Sequence, residues 1–378
     1  MKLEHKNEYF ELNSLFRVAY EILNRDNEKC IEHASETDIP IEDRYRFVFD
    51  EYVKELDTAE IQYTSETIEE IESNLTLIVN ASKSYLLGNI EDSLNYAETI
   101  FKKLEKRIVE IKENAYFYRA RATSFYQSLD RKEMFHIPFN KRYLIGNQRY
   151  STSGIPCLYL GESTYICWEE LGRPNPYTCN FICAKNVKPL KVLDMTIPSI
   201  SESSSVSIIP IILSSCLSSR KNRVFKQEYI LPQLIMYAII KRNEQVSGIK
   251  YHSTSLFYSD YPFYSDANKL KSDIEKHNNY VFPALNKGDD NDFLSDDLVN
   301  CFHTTNTFSI WQHQLVSSKE YMPIPSGEGG IDTTLNYLNN SAFGQLDRIF
   351  MKNDFASLKQ DITGIVNTRL HEFDIRIN

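Results

Sequence analysis

From Asn89 onward the apolar residues Ile90, Leu94, Ala97, Phe101, Leu104 and Ile108 return at helical spacing, and near Tyr116 that period stops. This change of period constrains the fold more than any other feature. Side chains share a face about every 3.6 residues on a helix and every second residue on a strand, so the chain must combine both element types. Asn89 is placed to cap the first of these patterns, with Glu91 and Asp92 in the first turn, where carboxylates suit the helix dipole. The segment before it repeats the pattern through Ile68, Ile71, Leu75, Ile78 and Ser82, from a cap at Ser65 to a stop at Gly88. Two helices joined by so short a turn are expected to pack as an antiparallel hairpin.

Beyond residue 116 the texture is one of short strands, expected at 116–123, 155–160, 179–184 and 189–194. Residues 164–171 suit a helix stopped by Gly172 and Pro174, and 199–219 reads as a serine-rich insertion with a loose, partly helical middle. Strand and helix alternate from 228 to 284. Loops follow at 287–297 and 323–330, and closing helices are expected at 331–351 and 354–373. The predicted class is α+β in three parts: an all-α N-terminal domain at 1–112, a mixed middle domain at 113–300 with the serine-rich insertion at about 198–222, and a mostly helical C-terminal extension at 301–378.

Charge narrows the partners. A formal net charge of -10 repels polyphosphate backbones, so no nucleic-acid partner is expected. Lys141, Arg142 and Arg149 cluster, but so few cations suit a small phosphorylated ligand or a solvated loop. The seven cysteines are odd in number and lie in apolar stretches, which fits reduced, buried thiols. Cys179 and Cys183 lack a second ligand pair, so no metal is expected. The opening MKLEHKNEYFELN has no apolar export core, and the longest apolar run, 206–213, is broken by Ser207 and Pro210 and is far too short for a membrane span. The expected location is cytoplasmic, with no membrane partner.

Three features of the middle region suggest a site for an anionic, sugar-containing ligand. Arg119 and Arg121 alternate along a strand and so share one face, where two guanidinium groups can fork onto phosphate oxygens; a pair of surface salt-bridge arginines would look the same. Residues 146–154 form a polar, glycine-bounded loop that can present Arg149 and backbone N–H groups to an anion, or can serve as a plain hairpin connection. Glu169 and Glu170 follow an apolar stretch containing Trp168, and on a helix only one of two consecutive side chains faces a given cleft. No G-x-G-x-x-G, P-loop or G-x-S-x-G motif is present.

Taken together, the string from Gly146 through Arg149, Tyr150, Gly154 and Tyr159 to Glu170, and the later Gly248-Ile249-Lys250-Tyr251-His252-Ser253, resemble the signature of the RES-domain family. The residues that name that family fall on Arg149, Glu170 and Ser253, and Tyr118-Arg119 resembles its opening strand. The resemblance spans about 118–284, under half of the chain. It implies an ADP-ribosyltransferase-like split β-sheet core and a toxin or defence effector that takes NAD+ as substrate, not as cofactor. Such an enzyme cleaves the nicotinamide–ribose bond by hydrolysis or phosphorolysis, or transfers ADP-ribose to a protein target. A binding protein with a decayed site is the non-catalytic alternative. The implied roles are catalysis by Glu170, with Glu169 as the alternative one position away, together with Ser253 and Arg149. Arg119, Arg121, Tyr150 and Tyr159 are implied to bind the dinucleotide. A cognate antitoxin or immunity protein is the implied protein partner, with self-association also open.

Overall fold

The computed structural model of the chain describes residues 4–32, 38–58, 63–198, 203–220, 223–242, 245–254, 277–285, 293–312 and 341–359. Its helices are α1 (Glu4–Glu32), α2 (Ile41–Thr58), α3 (Ser65–Leu86), α4 (Ile90–Leu104), α5 (Thr164–Glu170), α6 (Ile209–Ser215), α7 (Ile230–Lys241), α8 (Asp296–Val299) and α9 (Ala342–Met351). Its strands are β1 (Ile108–Ile111), β2 (Tyr116–Ala122), β3 (Cys157–Gly161), β4 (Cys179–Asn186), β5 (Leu190–Met195), β6 (Gly248–His252), β7 (Asn278–Pro283), β8 (Phe302–Thr304) and β9 (Ala356–Ser357). The fold is α+β with a helical N-terminal region. The described residues fall into two compact units that interleave along the chain, one drawn from 1–109, 146–154 and 191–271, the other from 110–145, 155–190 and 272–378.

In the first unit the expected hairpin is α3 and α4. Thr64, one residue ahead of the expected cap, closes a capping box with Thr67, which satisfies two backbone donors that a helix start leaves open. Gly88 turns the chain at φ 80°, a left-handed conformation open to glycine at no steric cost, and the Ser93 hydroxyl donates to Ala81 O to bind the two helices together. Their inner faces bury Ile71, Ile78, Ile100, Phe101 and Leu104.

The serine-rich stretch has the helical middle expected of it, in α6, but all seven residues of that helix are buried, so it is an internal helix of this unit and not a loose one. A small hydroxyl can be taken out of water when it bonds back to a carbonyl one turn earlier, as Ser215 does to Ile211. The turn before α6 is anchored from outside by Tyr52 Oη on Val206 O and Asn74 Nδ2 on Ser207 O. The strands of this unit run β1-β5-β6, with β5 and β6 parallel in the register Val192 to Gly248 and Met195 to Tyr251.

The second unit is built on strands in the order β7-β3-β2-β4-β8-β9. Antiparallel β2 and β4 pair along the whole of β2, from Tyr116–Lys185 to Ala122–Cys179. β3 and β7 pair from Cys157–Pro283 to Gly161–Asn279. Between β2 and β3 the only registered pair is Tyr118–Gly161, so the two strands part where Arg119 begins. One face, through Tyr118, Ala120, Phe181 and Cys183, packs against Ile166 and Cys167 of α5 and Phe343, Leu346 and Phe350 of α9. The other carries Phe117 edge-on to Tyr280, Phe282 and Phe302, and Ile182 against Leu129 and Met134.

Of the expected closing helices, α9 lies within the first, while 331–340 and 360–373 fall outside the described residues, as do 287–292 and 323–330 of the expected loops. Where the second helix was expected to begin, the chain instead forms β9 on β8, its carbonyls at Ala356 and Ser357 accepting from the Arg131 guanidinium.

Candidate functional site

In the second unit, Arg119 and Arg121 alternate with buried Tyr118 and Ala120 on β2, as the sequence pattern implied. Arg119 Nη1 reaches across the parting of the strands and donates to Tyr159 O of β3 at 2.7 Å. Its Nε is buried and has no hydrogen-bond partner among the described residues. Burial, assisted by the neighbouring charge of Arg121, lowers the Arg119 pKa to about 10, so the group remains a cation at neutral pH but an under-solvated one. Arg121 Nη1 donates to Glu133 O, and burial lowers its pKa as well. Tyr159 itself is half-buried, paired across to Val281.

Helix α5 delivers the two candidate carboxylates. Ser163 caps its start by accepting from Ile166 N, and the helix lies directly on the end of β3. A Cβ at Gly161 would stand 2.7 Å from Ile166 Cγ2 and 2.8 Å from Cys167 Sγ, so only glycine allows this approach. At the far end the carboxylates diverge. Glu169, with its side chain 5% exposed, accepts from Tyr165 Oη at 2.7 Å and from Arg173 Nε at 2.9 Å. Glu170 is exposed, and its Oε1 accepts from Asn279 Nδ2 at 2.9 Å. Glu169 is thereby occupied in holding the helix terminus, and Glu170 is the carboxylate presented to solvent. The buried Cys167 thiol donates to Tyr118 O, and burial together with the charge of Asp347 raises its pKa.

The remaining candidates belong to the first unit. Arg149 donates to Ser215 O at 2.9 Å and Leu217 O at 3.1 Å, with its guanidinium 5.0 Å from the Tyr229 ring centroid, so it closes the carboxyl end of α6. Gln233 holds the same loop through Asn147 Oδ1 and Gln148 O. Tyr150 is buried at 1% exposure, with its ring 4.7 Å from that of Tyr251. Ser253 is fully buried just past β6, and its neighbour His252 accepts from Ile197 N.

Two groups near the site were not named by sequence reasoning. Asn279 and Cys167 owe their places to the β3–β7 register and to the seating of α5 on Gly161, neither of which leaves a local motif; the polar pair Asn278-Asn279 ahead of an apolar strand was the available signal. His136 is a satisfied structural histidine. Its Nδ1 lies 2.9 Å from Ile137 O and its Nε2 accepts from Ser295 N at 2.8 Å, and burial lowers its pKa to about 4. Among the described residues no cluster of three or more side chains is arranged to hold a metal ion, and no helix is long and apolar enough to cross a membrane.

No protein-family model matches the chain, and no solved structure matches it. It is similar to a protein of Bacillus subtilis (strain 168) named "Putative toxin YopC", with 33% identity over 248 residues, 55% of this chain and 55% of that protein. The chain thus spans about half the length of the curated relative it matches.

Proposed function

We propose that this chain is a toxin that cleaves the nicotinamide–ribose bond of NAD+ and depletes the dinucleotide. The toxin half of this reading is supported by the similarity to a protein that carries that name. The NAD+ half rests on the resemblance of the motif residues, and on one observation: Arg119 stands in the parting between β2 and β3 with a buried Nε–H that has no acceptor among the described residues. A phosphate oxygen supplies the missing acceptor, and a charge-assisted bond in a partly dehydrated gap is stronger than one in water. Arg121, on the same strand face, is the second cation for a pyrophosphate, and Tyr159, whose backbone carbonyl Arg119 engages, offers a half-buried ring.

Breaking the glycosidic bond builds positive charge on the ribose, as in glycoside hydrolysis. A fixed carboxylate next to that carbon stabilises the transition state more than the ground state. In this reading Glu170 is that carboxylate, and water or phosphate takes the ribosyl carbon as nicotinamide leaves. Arg149 and Ser253 keep the roles that the resemblance implies, each to be tested by its own alanine substitution. An antitoxin or immunity protein is the partner such an activity requires in the producing cell.

Purified protein incubated with NAD+, with and without phosphate, tests the reading. Free nicotinamide with ADP-ribose indicates hydrolysis, and ADP-ribose 1''-phosphate indicates phosphorolysis. Label retained on a protein would move the chain to the transferases. A Glu170→Ala chain that removes NAD+ and arrests growth like the wild type would overturn the mechanism.

A further inference from the structure

We infer that Asn279 is a positioning residue for Glu170, setting the direction of its carboxylate before substrate arrives; the inference rests on the role given to Glu170 above. Asn279 is buried on β7 opposite Gly161, and its Nδ2 donates to Glu170 Oε1 at 2.9 Å. The placement of Glu170 is locally unfavourable. It ends α5, where the helix dipole is negative, and it follows another carboxylate. Both acids are held at their oxygens: Glu169 accepts from Arg173, and Glu170 accepts from the amide of Asn279. A donor on a buried strand fixes the direction of a carboxylate, which is what a group facing a developing cation needs.

The geometry around the amide supports the assignment. Oδ1 of Asn279 would lie 3.2 Å from a Cβ at position 161, so the bare glycine gives room to both the helix and the amide. With Oδ1 turned to Gly161, Nδ2 is directed to Glu170. An exposed glutamate otherwise samples several rotamers, and fixing one beforehand removes an ordering cost from the reaction. Aspartate at 279 would set acceptor against acceptor, and alanine would remove this donor from the carboxylate.

The test uses the full chain with Asn279→Ala, Asn279→Ser, Glu170→Gln and the Asn279→Ala/Glu170→Gln double variant. Asn279→Ala is expected to lower kcat for NAD+ loss by about tenfold or more while KM stays within about threefold, since misplacing a reacting group costs rate more than binding. Asn279→Ser, which keeps a short polar side chain, covers the case in which the alanine variant fails to fold, and is expected to lose kcat in the same way. On the Glu170→Gln background Asn279→Ala should add no further loss, because both changes remove one unit. Unchanged kcat in folded Asn279→Ala or Asn279→Ser protein, or a loss that adds in full to that of Glu170→Gln, overturns the inference. If the wild type turns over no NAD+, the functional reading fails by itself and growth arrest on expression becomes the readout. Glu170→Gln and Asn279→Ala should then relieve arrest together. Relief by Glu170→Gln with Asn279→Ala still fully toxic overturns the positioning role, and a fully toxic Glu170→Gln chain overturns both.

Discussion

Arg44 and Arg119 are the same residue type in two kinds of setting. Arg44, 3% exposed in the first unit, has all three guanidinium nitrogens hydrogen-bonded, to Asp26, Glu228 and the carbonyl of Ser218. Its pKa is raised, the bonds to Asp26 and the charges around it outweighing burial. Arg119 makes one bond to a carbonyl, keeps an unanswered Nε–H among the described residues, and has its pKa lowered because burial is the dominant effect. Folding has completed the first network and left the second short of an acceptor. A buried polar group without a partner is costly, so its retention points to something other than stability. On this contrast Arg44 is a structural residue of its unit, and Arg119 is the phosphate contact in the function proposed above.

The largest effect that can break the contrast is at Arg44. Arg44→Met leaves Asp26 and Glu228 buried without their cation, and denaturant unfolding should show a loss of about 3–5 kcal/mol; a near-neutral result would mean that the triad is not structural. Arg119→Met should do the opposite: NAD+ turnover is expected to fall about 100-fold or more, with unfolding free energy within about 1 kcal/mol of the wild type. A variant at Arg119 that unfolds as readily as the one at Arg44 would erase the distinction.

A smaller effect is expected at His136, whose pKa falls from 6.5 unfolded to about 4 folded. The unfolded chain therefore binds more protons in that interval. Stability from this group is full above pH 6.5, declines as pH falls, and is lost on passing about 4. Unfolding curves across that window should flatten in His136→Gln. The smallest change belongs to Arg173→Ala, which removes a 57% exposed partner from Glu169 and should cost at most about 1 kcal/mol in Tm-derived stability, with turnover intact.

Periodicity made the α3–α4 hairpin, the four middle strands and the helix before Gly172 readable, because each is fixed by side chains a few residues apart. The alternation Arg119–Arg121 and the divergence of Glu169 from Glu170 were readable for the same reason. What local pattern could not reveal was what lies opposite. Tyr150 adjoins a polar loop, yet Tyr251 fills the space over its ring. The serines around 203–215 suggested a loose segment, yet the isoleucines between them carry it inside. Asn279 meets Glu170 only through a register between strands more than a hundred residues apart. The interleaving of the two units is likewise a matter of long-range contact: the polar, glycine-bounded stretch 146–154 reads as a loop, and nothing local shows which unit it joins.

The parting of β2 from β3 has one more consequence. A ladder that stops after Tyr118–Gly161 creates a rim in the interior of an otherwise zipped array. Rims are where proteins are vulnerable to foreign strands, and they are usually blunted with charge; here the blunting residue is an arginine and the rim is flanked on both sides by continuous pairing. In the function proposed above, this rim is where the phosphate of the dinucleotide meets Arg119.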